Sequence, residues 1–156
     1  MAVSDLTRML DDAGVEYQLL HHDHTERAVA EARALGLAAG DVAKTLIVRT
    51  GDGHLRALVP ASERIDMRKL REHVGESKDL VQLATEEEMA RDYPEFDLGA
   101  VPPLGGSRTD PVVVDQRLAE REWLVFEAGS HDNSVRVKTA DFLRIANAQT
   151  ADLCHD

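Results

Sequence analysis

At 156 residues and 43% hydrophobic, with only 4% aromatic, the chain is long enough to bury roughly 70% of its unfolded surface in one domain with a core of Val, Leu, Ile and Ala. Its 29 acidic residues against 18 basic ones leave a net charge of −11, which opposes non-specific attachment to nucleic acid or an anionic membrane. No segment approaches the ~20 apolar residues of a membrane helix, and Met1-Ala2-Val3-Ser4-Asp5 lacks the regions of a signal peptide, so a cytoplasmic protein is expected.

In chain order, Ser4 is placed to cap a short helix whose apolar face is Leu6, Met9, Leu10 and Ala13, with Gly14 as its stop. Val15 to Leu20 alternates apolar and polar residues at the period of a half-buried strand. Thr25 then caps a second helix carrying Val29, Ala32 and Leu35 and ending at Gly36. Residues 43–49 and 54–60 read as two strands joined by Thr50-Gly51-Asp52-Gly53, a hairpin signal.

Asp66 caps a helix through Leu70 and Val74 to Gly75, and Leu80 to Ala84 is strand-like. Thr85 and Glu88 form a capping box for a helix that stops near Tyr93-Pro94. After a Gly- and Pro-rich loop come strands at 112–114, 123–128 and 134–138, with a turn at 130–133. Thr139 caps a closing helix that buries Phe142, Leu143 and Ala146. A short hairpin cannot join parallel strands, so the sheet is mixed, in an α/β layout without Rossmann alternation. Lone Cys154 cannot form an internal disulfide and is expected as an exposed bystander near the end of the chain.

Three segments stand out chemically. Gly99-Ala100-Val101-Pro102-Pro103-Leu104-Gly105-Gly106 specifies a stiff, bent loop, expected to expose its amides, because glycine admits positive φ and proline fixes it. Lys44 opens the apolar run Thr45-Leu46-Ile47-Val48, as either a solvated strand end or a cation aimed at an anion or carbonyl. Ala128-Gly129-Ser130-His131 supplies a second glycine-led turn.

With Val42-Ala43-Lys44-Thr45-Leu46, Ala57-Leu58-Val59-Pro60-Ala61, Val112-Val113-Val114-Asp115 and Ala140-Asp141-Phe142-Leu143, these segments make an ordered set. From about Val15 to Ile145 it resembles the YbaK and prolyl-tRNA-editing domain family: freestanding aminoacyl-tRNA deacylases and the editing insert of bacterial prolyl-tRNA synthetases. The resemblance implies a curved, largely antiparallel sheet wrapped by helices. It also implies hydrolysis of the ester between an amino acid and the terminal ribose of a mischarged tRNA. A positioned water and a stabilised oxyanion suffice for that ester without a nucleophilic side chain. The chain has no Gly-x-Ser-x-Gly elbow.

By the same resemblance, Lys44 matches the family's essential lysine, and Gly99 and Pro103 match a loop whose backbone faces the aminoacyl group. Thr45, Ala100, Val101 and Pro102 are expected to contact substrate beside them. Gly129 and Ser130 complete the pocket, and His131 orients water or the ribose hydroxyls, or is only a turn residue. Asp115 matches a recurrent aspartate, or caps a strand end; Ser62 falls where the pocket is lined, or caps a turn; His22 falls where members carry a pocket-side histidine.

Members that clear cysteinyl-tRNA carry basic residues after the proline loop and in the last glycine turn. This chain has Gly106-Ser107-Arg108-Thr109-Asp110 and Ser130-His131-Asp132-Asn133, so alanine, serine or threonine is the expected cargo, with a proline tRNA as one candidate carrier. The cluster His21-His22-x-His24 has poor metal-ligand spacing, since neighbours on a strand point to opposite faces, and neither metal nor cofactor is expected. The partner implied is the acceptor end of aminoacyl-tRNA, gripped weakly through Arg64, Arg68, Lys69, Arg71 and Lys78, with a synthetase as a second possible partner. The alternatives are a non-catalytic tRNA- or synthetase-binding module of the same fold and a histidine-centred metallohydrolase.

Overall fold

A computed structural model describes residues 2–156, with side chains from Asp5 onward. Helix α1 (Ala2–Asp12) buries Leu6 and Leu10 completely, while Met9 lies off that stripe and is 43% exposed. Ser4 falls inside this helix, not at its cap. Strand β1 (Tyr17–His21) is followed by α2 (Ala28–Ala34), whose start at Arg27 has no side-chain cap. Thr25 instead donates its backbone N–H to the His131 carbonyl at 2.9 Å, which ties this loop to the Gly129 turn.

A 3-10 turn (Ala39–Asp41) leads into the hairpin of β2 (Ala43–Thr50) and β3 (Gly53–Pro60), paired from Ala43↔Pro60 to Thr50↔Gly53. Asp66 caps α3 (Met67–Val74) by accepting from the Arg68 amide, as its position before the helix predicts. Strand β4 is only Gln82–Leu83, shorter than the alternation of 80–84 suggested. The Thr85–Glu88 capping box is present at the start of α4 (Glu86–Asp92).

The remaining elements are β5 (Val112–Asp115), α5 (Gln116–Ala119), β6 (Trp123–Glu127), β7 (Asn133–Lys138), α6 (Thr139–Ile145) and β8 (Gln149–Ala151). Thr139 is the first residue of α6, with Lys138 in the cap position and no side-chain cap bond. Both α5 and β8 are too short to have shown a period in the sequence.

The mixed, largely antiparallel layout expected from the sequence is present as two ladders. One has the order β1-β7-β6, all antiparallel; the other, β4-β2-β3-β5-β8, has parallel pairings only where β5 meets β3 and β8. A parallel bridge, Val42↔Val125, joins β2's start to β6. The main core lies among β3, β5, β6, β7, α1 and α6, around Leu6, Leu58, Val114, Phe126 and Phe142. A second core under α3 contains Leu70, Val113, Leu153 and Cys154. Cys154 is thus fully buried and bridged to Ile65, not an exposed bystander, because Leu153 and Cys154 complete that core.

One consequence of this topology positions the site. Strand β4 pairs only with Val48 and Arg49 of β2, so the outer edge of β2 from Ala43 to Leu46 has no β4 partner beside it.

Candidate active site

That uncovered edge forms one wall of a cleft of about 350 Å³. Lys44, Thr45 and Leu46 enter it from β2, Arg27 and Val29 from the start of α2, Glu26 from the loop before it, Glu127 from the end of β6, and Gly99 and Val101 from the long loop. Successive residues of a strand point to opposite faces, so Lys44 and Thr45 diverge at the edge. Lys44 Nζ donates to the Glu63 carbonyl at 2.7 Å. Burial is the main cause that holds its ammonium below the ordinary lysine pKa, aided by Arg64.

The Gly99 loop is not a set of exposed amides. Residues 100–105 are buried, and what holds them is Arg56, a β3 side chain only 1% exposed. Its guanidinium donates to the carbonyls of Pro102 at 2.9 Å, Gly105 at 3.0 Å and Arg108 at 3.3 Å, and to Asp110 Oδ2 at 3.1 Å. Tyr93 closes the network by donating its hydroxyl to the same Asp110 oxygen at 2.6 Å. Pro102 is therefore part of the clamp, Pro103 is buried next to it, and Gly99 and Val101 are the loop residues that reach the cleft. Gly106 is required by space as well as by φ of 88°, since a Cβ there would lie 2.4 Å from Glu95 Oε1 and 2.7 Å from the Phe96 ring.

Behind the cleft stands His131, with a side chain 5% exposed. Its Nε2 donates to the Leu98 carbonyl at 2.7 Å, its backbone N–H to Asp97 at 3.3 Å, and its ring edge lies against Gly99. Because a carbonyl can only accept, the proton of a neutral ring sits on Nε2, and Nδ1 is left as an acceptor. Nδ1 lies 3.1 Å from Glu127 Oε2. Glu127 is pushed up to about 9 by burial first, then by the nearby charges of Glu31, Glu26 and Asp97, so it is protonated at neutral pH, and neither its Oε2 nor Nδ1 has an aligned hydrogen bond.

Glu31, on α2, is fully buried and pushed up to about 7, chiefly by desolvation. It accepts a bond from Ser134, whose hydroxyl is 2.9 Å from His22 Nε2. His24 binds Glu26 at 2.7 Å, and that partner raises its pKa.

Of the residues singled out in the sequence, Lys44, Thr45, Gly99 and Val101 meet in the cleft, and His131 backs it. Ala100, Pro102 and Pro103 are buried beneath it. Gly129, buried, binds the loop to the turn by accepting from the Asp97 amide at 2.9 Å, while Ser130 bonds Asp132 and Asn133 within that turn. His22 is turned to Ser134, away from the cleft lining.

Asp115 is a correction: it is fully buried at the start of α5 and accepts from the Arg117 and Leu153 amides, the bonding of a strand-end cap. Ser62 is another, for it lines a separate depression with Gly40 and Arg121. The basic stretch is also partly consumed, with Lys69 bound to Asp152 and Asp156 and Arg71 to the Val81 carbonyl. Cys154 is no nucleophile for the cleft, because burial pushes its thiol up to about 12. Among the described residues, no group of three or more His, Cys, Asp or Glu is arranged to hold a metal ion.

Sequence reasoning gave no role to Glu127 or Arg56. Each carried a signal, as a charge at the end of or within an otherwise apolar strand, Trp-Leu-Val-Phe-Glu and Leu-Arg-Ala-Leu-Val.

Residues 22–145 match the aminoacyl-tRNA editing domain family. The chain is 31% identical over 150 residues to a Multifunctional Ser/Thr-tRNA deacylase, ProXp-y, of Escherichia coli K12, spanning 92% of this chain and 87% of that one. It is 22% identical over 139 residues to a candidate Cys-tRNA(Pro)/Cys-tRNA(Cys) deacylase, EbsC, of Enterococcus faecalis, across 88% and 83% of the two chains. Among solved structures, a candidate trans-editing enzyme for prolyl tRNA synthetase superposes with a TM-score of 0.88 at 25% identity, covering 99% of this chain and 98% of that one. The chain belongs to the aminoacyl-tRNA editing domain family.

Proposed function

We propose that the protein is a cytoplasmic aminoacyl-tRNA deacylase that frees a small amino acid, serine, threonine or alanine, from the 3′ end of a mischarged tRNA, with residues 1–156 acting as one editing domain. The observation that carries this reading is the cleft itself. A cation on an open strand edge, a glycine held at φ of 83°, and a buried acid meet around a space that suits one small aminoacyl group.

The ester is activated, so the protein's task is to place it, admit one water and stabilise charge on the carbonyl oxygen. Lys44 supplies the positive charge at that oxygen, by exchanging its bond to the Glu63 carbonyl for one to substrate. Gly99, at a φ of 83°, presents its backbone to the ester in the cleft. His131 holds that glycine and Glu127 in place. The tRNA body contributes weak, salt-sensitive contacts, and a synthetase can supply tRNA choice.

The test is a deacylation panel of alanyl-, seryl-, threonyl- and cysteinyl-tRNA. Release of one or more of the first three above the spontaneous rate is expected, with cysteinyl-tRNA slowest. If all four remain intact, the chain is a binding module of the same fold.

A further inference from the structure

Among the described residues, the carboxyl groups on one side of the cleft form no ion pair with a lysine or arginine. Glu127 and Glu26 line the cavity, Glu31 and Asp97 stand close behind Glu127, and among the described residues the ion pairs of Glu26 and Glu127 are with histidines alone. Glu31 is fully buried with Oε1 unpartnered, and Glu127 Oε2 has no aligned hydrogen bond. Lys44 lines the same cleft but is committed to the Glu63 carbonyl, and Arg27 enters from the start of α2. Burial keeps protons on Glu127 and Glu31, and a cation that enters beside Glu127 can take the place of its proton.

An amino acid esterified to tRNA has one such cation, its α-ammonium, two bonds from the ester carbonyl. We infer that Glu127, with Glu26 beside it, seats the α-ammonium of the esterified amino acid, so that the protein accepts free aminoacyl groups and rejects those whose nitrogen is acylated. This deepens the deacylase reading and rests on it for the identity of the ligand.

The protons balance. The α-amino group titrates near 7.7–8.0 and Glu127 about a unit above it, so at neutral pH amine and carboxyl together carry one or two protons. The bound pair, ammonium against carboxylate, carries one of these, and any second goes to solvent. The groups facing Glu127 in this exchange are Glu31 from α2, Glu26 and Asp97 from the two loops, and the Nδ1 of His131, itself packed on His24. An N-acylated aminoacyl group, as on peptidyl-tRNA, offers a neutral amide and cannot replace the proton. The seat thus separates mischarged tRNA from peptidyl-tRNA by charge, and leaves Lys44, at the carbonyl, outside that choice.

The experiment measures binding without hydrolysis. The probes are the seryl amide of 3′-amino-3′-deoxyadenosine and its isostere in which a hydroxyl replaces the α-amino group, titrated against wild type and Glu127→Gln. Wild type is expected to prefer the amine by about tenfold or more, the scale of one charge-assisted hydrogen bond, and Glu127→Gln to lose the preference while binding the hydroxy isostere as wild type does. Equal affinity of wild type for the two probes overturns the inference, as does an equal loss for both probes in the variant, which would mark Glu127 as structural. Amine-selective binding without release of amino acid from any charged tRNA sustains the ammonium seat and removes the deacylase reading.

Discussion

Two largely buried ionisable side chains, Arg56 and Glu127, lie on either side of the Gly99 loop, and their surroundings are opposite. Arg56 is 1% exposed, and its donors are taken up by three carbonyls and Asp110. Glu127, with a side chain 12% exposed, has among the described residues a histidine nitrogen as its one ion-pair partner and three further carboxyl groups around it. A paired internal charge specifies a backbone, because every carbonyl it binds must be in place at once. An unpaired one at a cleft is a place for something that arrives. The same loop is thus built on one side and left incomplete on the other.

The sharpest way to break this contrast is to remove the paired charge. Arg56→Ala leaves Asp110 and three loop carbonyls short of a partner, and a loss of about 3–5 kcal/mol in urea unfolding is expected, together with loss of deacylation as the loop slackens. Arg56→Lys recovers little, since a point charge cannot reach all four acceptors. An Arg56→Ala protein that unfolds like wild type would show that the loop is held by its prolines alone.

Lys44 sharpens the contrast from the cleft side. Lys44→Ala removes one bond to the Glu63 carbonyl, about 1 kcal/mol, yet is expected to lower kcat by about 10²–10³-fold, as when one oxyanion-stabilising group is lost. The comparison is rate against melting temperature, beside Lys138→Ala at an exposed strand end. Near-wild-type rates in both would take Lys44 out of the chemistry. A fall in rate matched by a fall in melting temperature would make it structural.

The contrast also shows what could be read beforehand. Periods of two and 3.6, the Asp66 cap and the Thr85–Glu88 box are local properties, and the elements they announce are present. Lys44 and Gly99 were legible because they sit at ends and turns, where a strand edge or a positive φ is a local demand. Arg56 was not, for its meaning depends on carbonyls 46 to 52 residues away. Glu127 was not, because a strand-end glutamate acquires its character only when Glu31, Glu26 and Asp97 are folded around it. Asp115 and Ser62 misled in the reverse direction: each suits a pocket in type, and tertiary placement gave one a cap and the other a different depression.

The effect most specific to the unpaired side is in the pH dependence of stability. The folded-state values of Glu31 and Glu127, about 7 and about 9, lie above the ordinary carboxyl value, so the folded protein holds protons that the unfolded chain has released. Stability must then fall as pH rises from the ordinary carboxyl range, with Glu31's share complete near pH 7 and Glu127's near pH 9, at a slope of up to about 1.4 kcal/mol per pH unit per proton. Glu127→Gln keeps the shape and stays neutral, so it is expected to match wild type near pH 5 and to exceed it in melting temperature at pH 8, although nothing has been added to the core. The difference between variant and wild type isolates the acid wall. A variant less stable than wild type at pH 8 would mean that Glu127 is satisfied in the folded protein, and the distinction between the two sides of the loop would fail at its unpaired end.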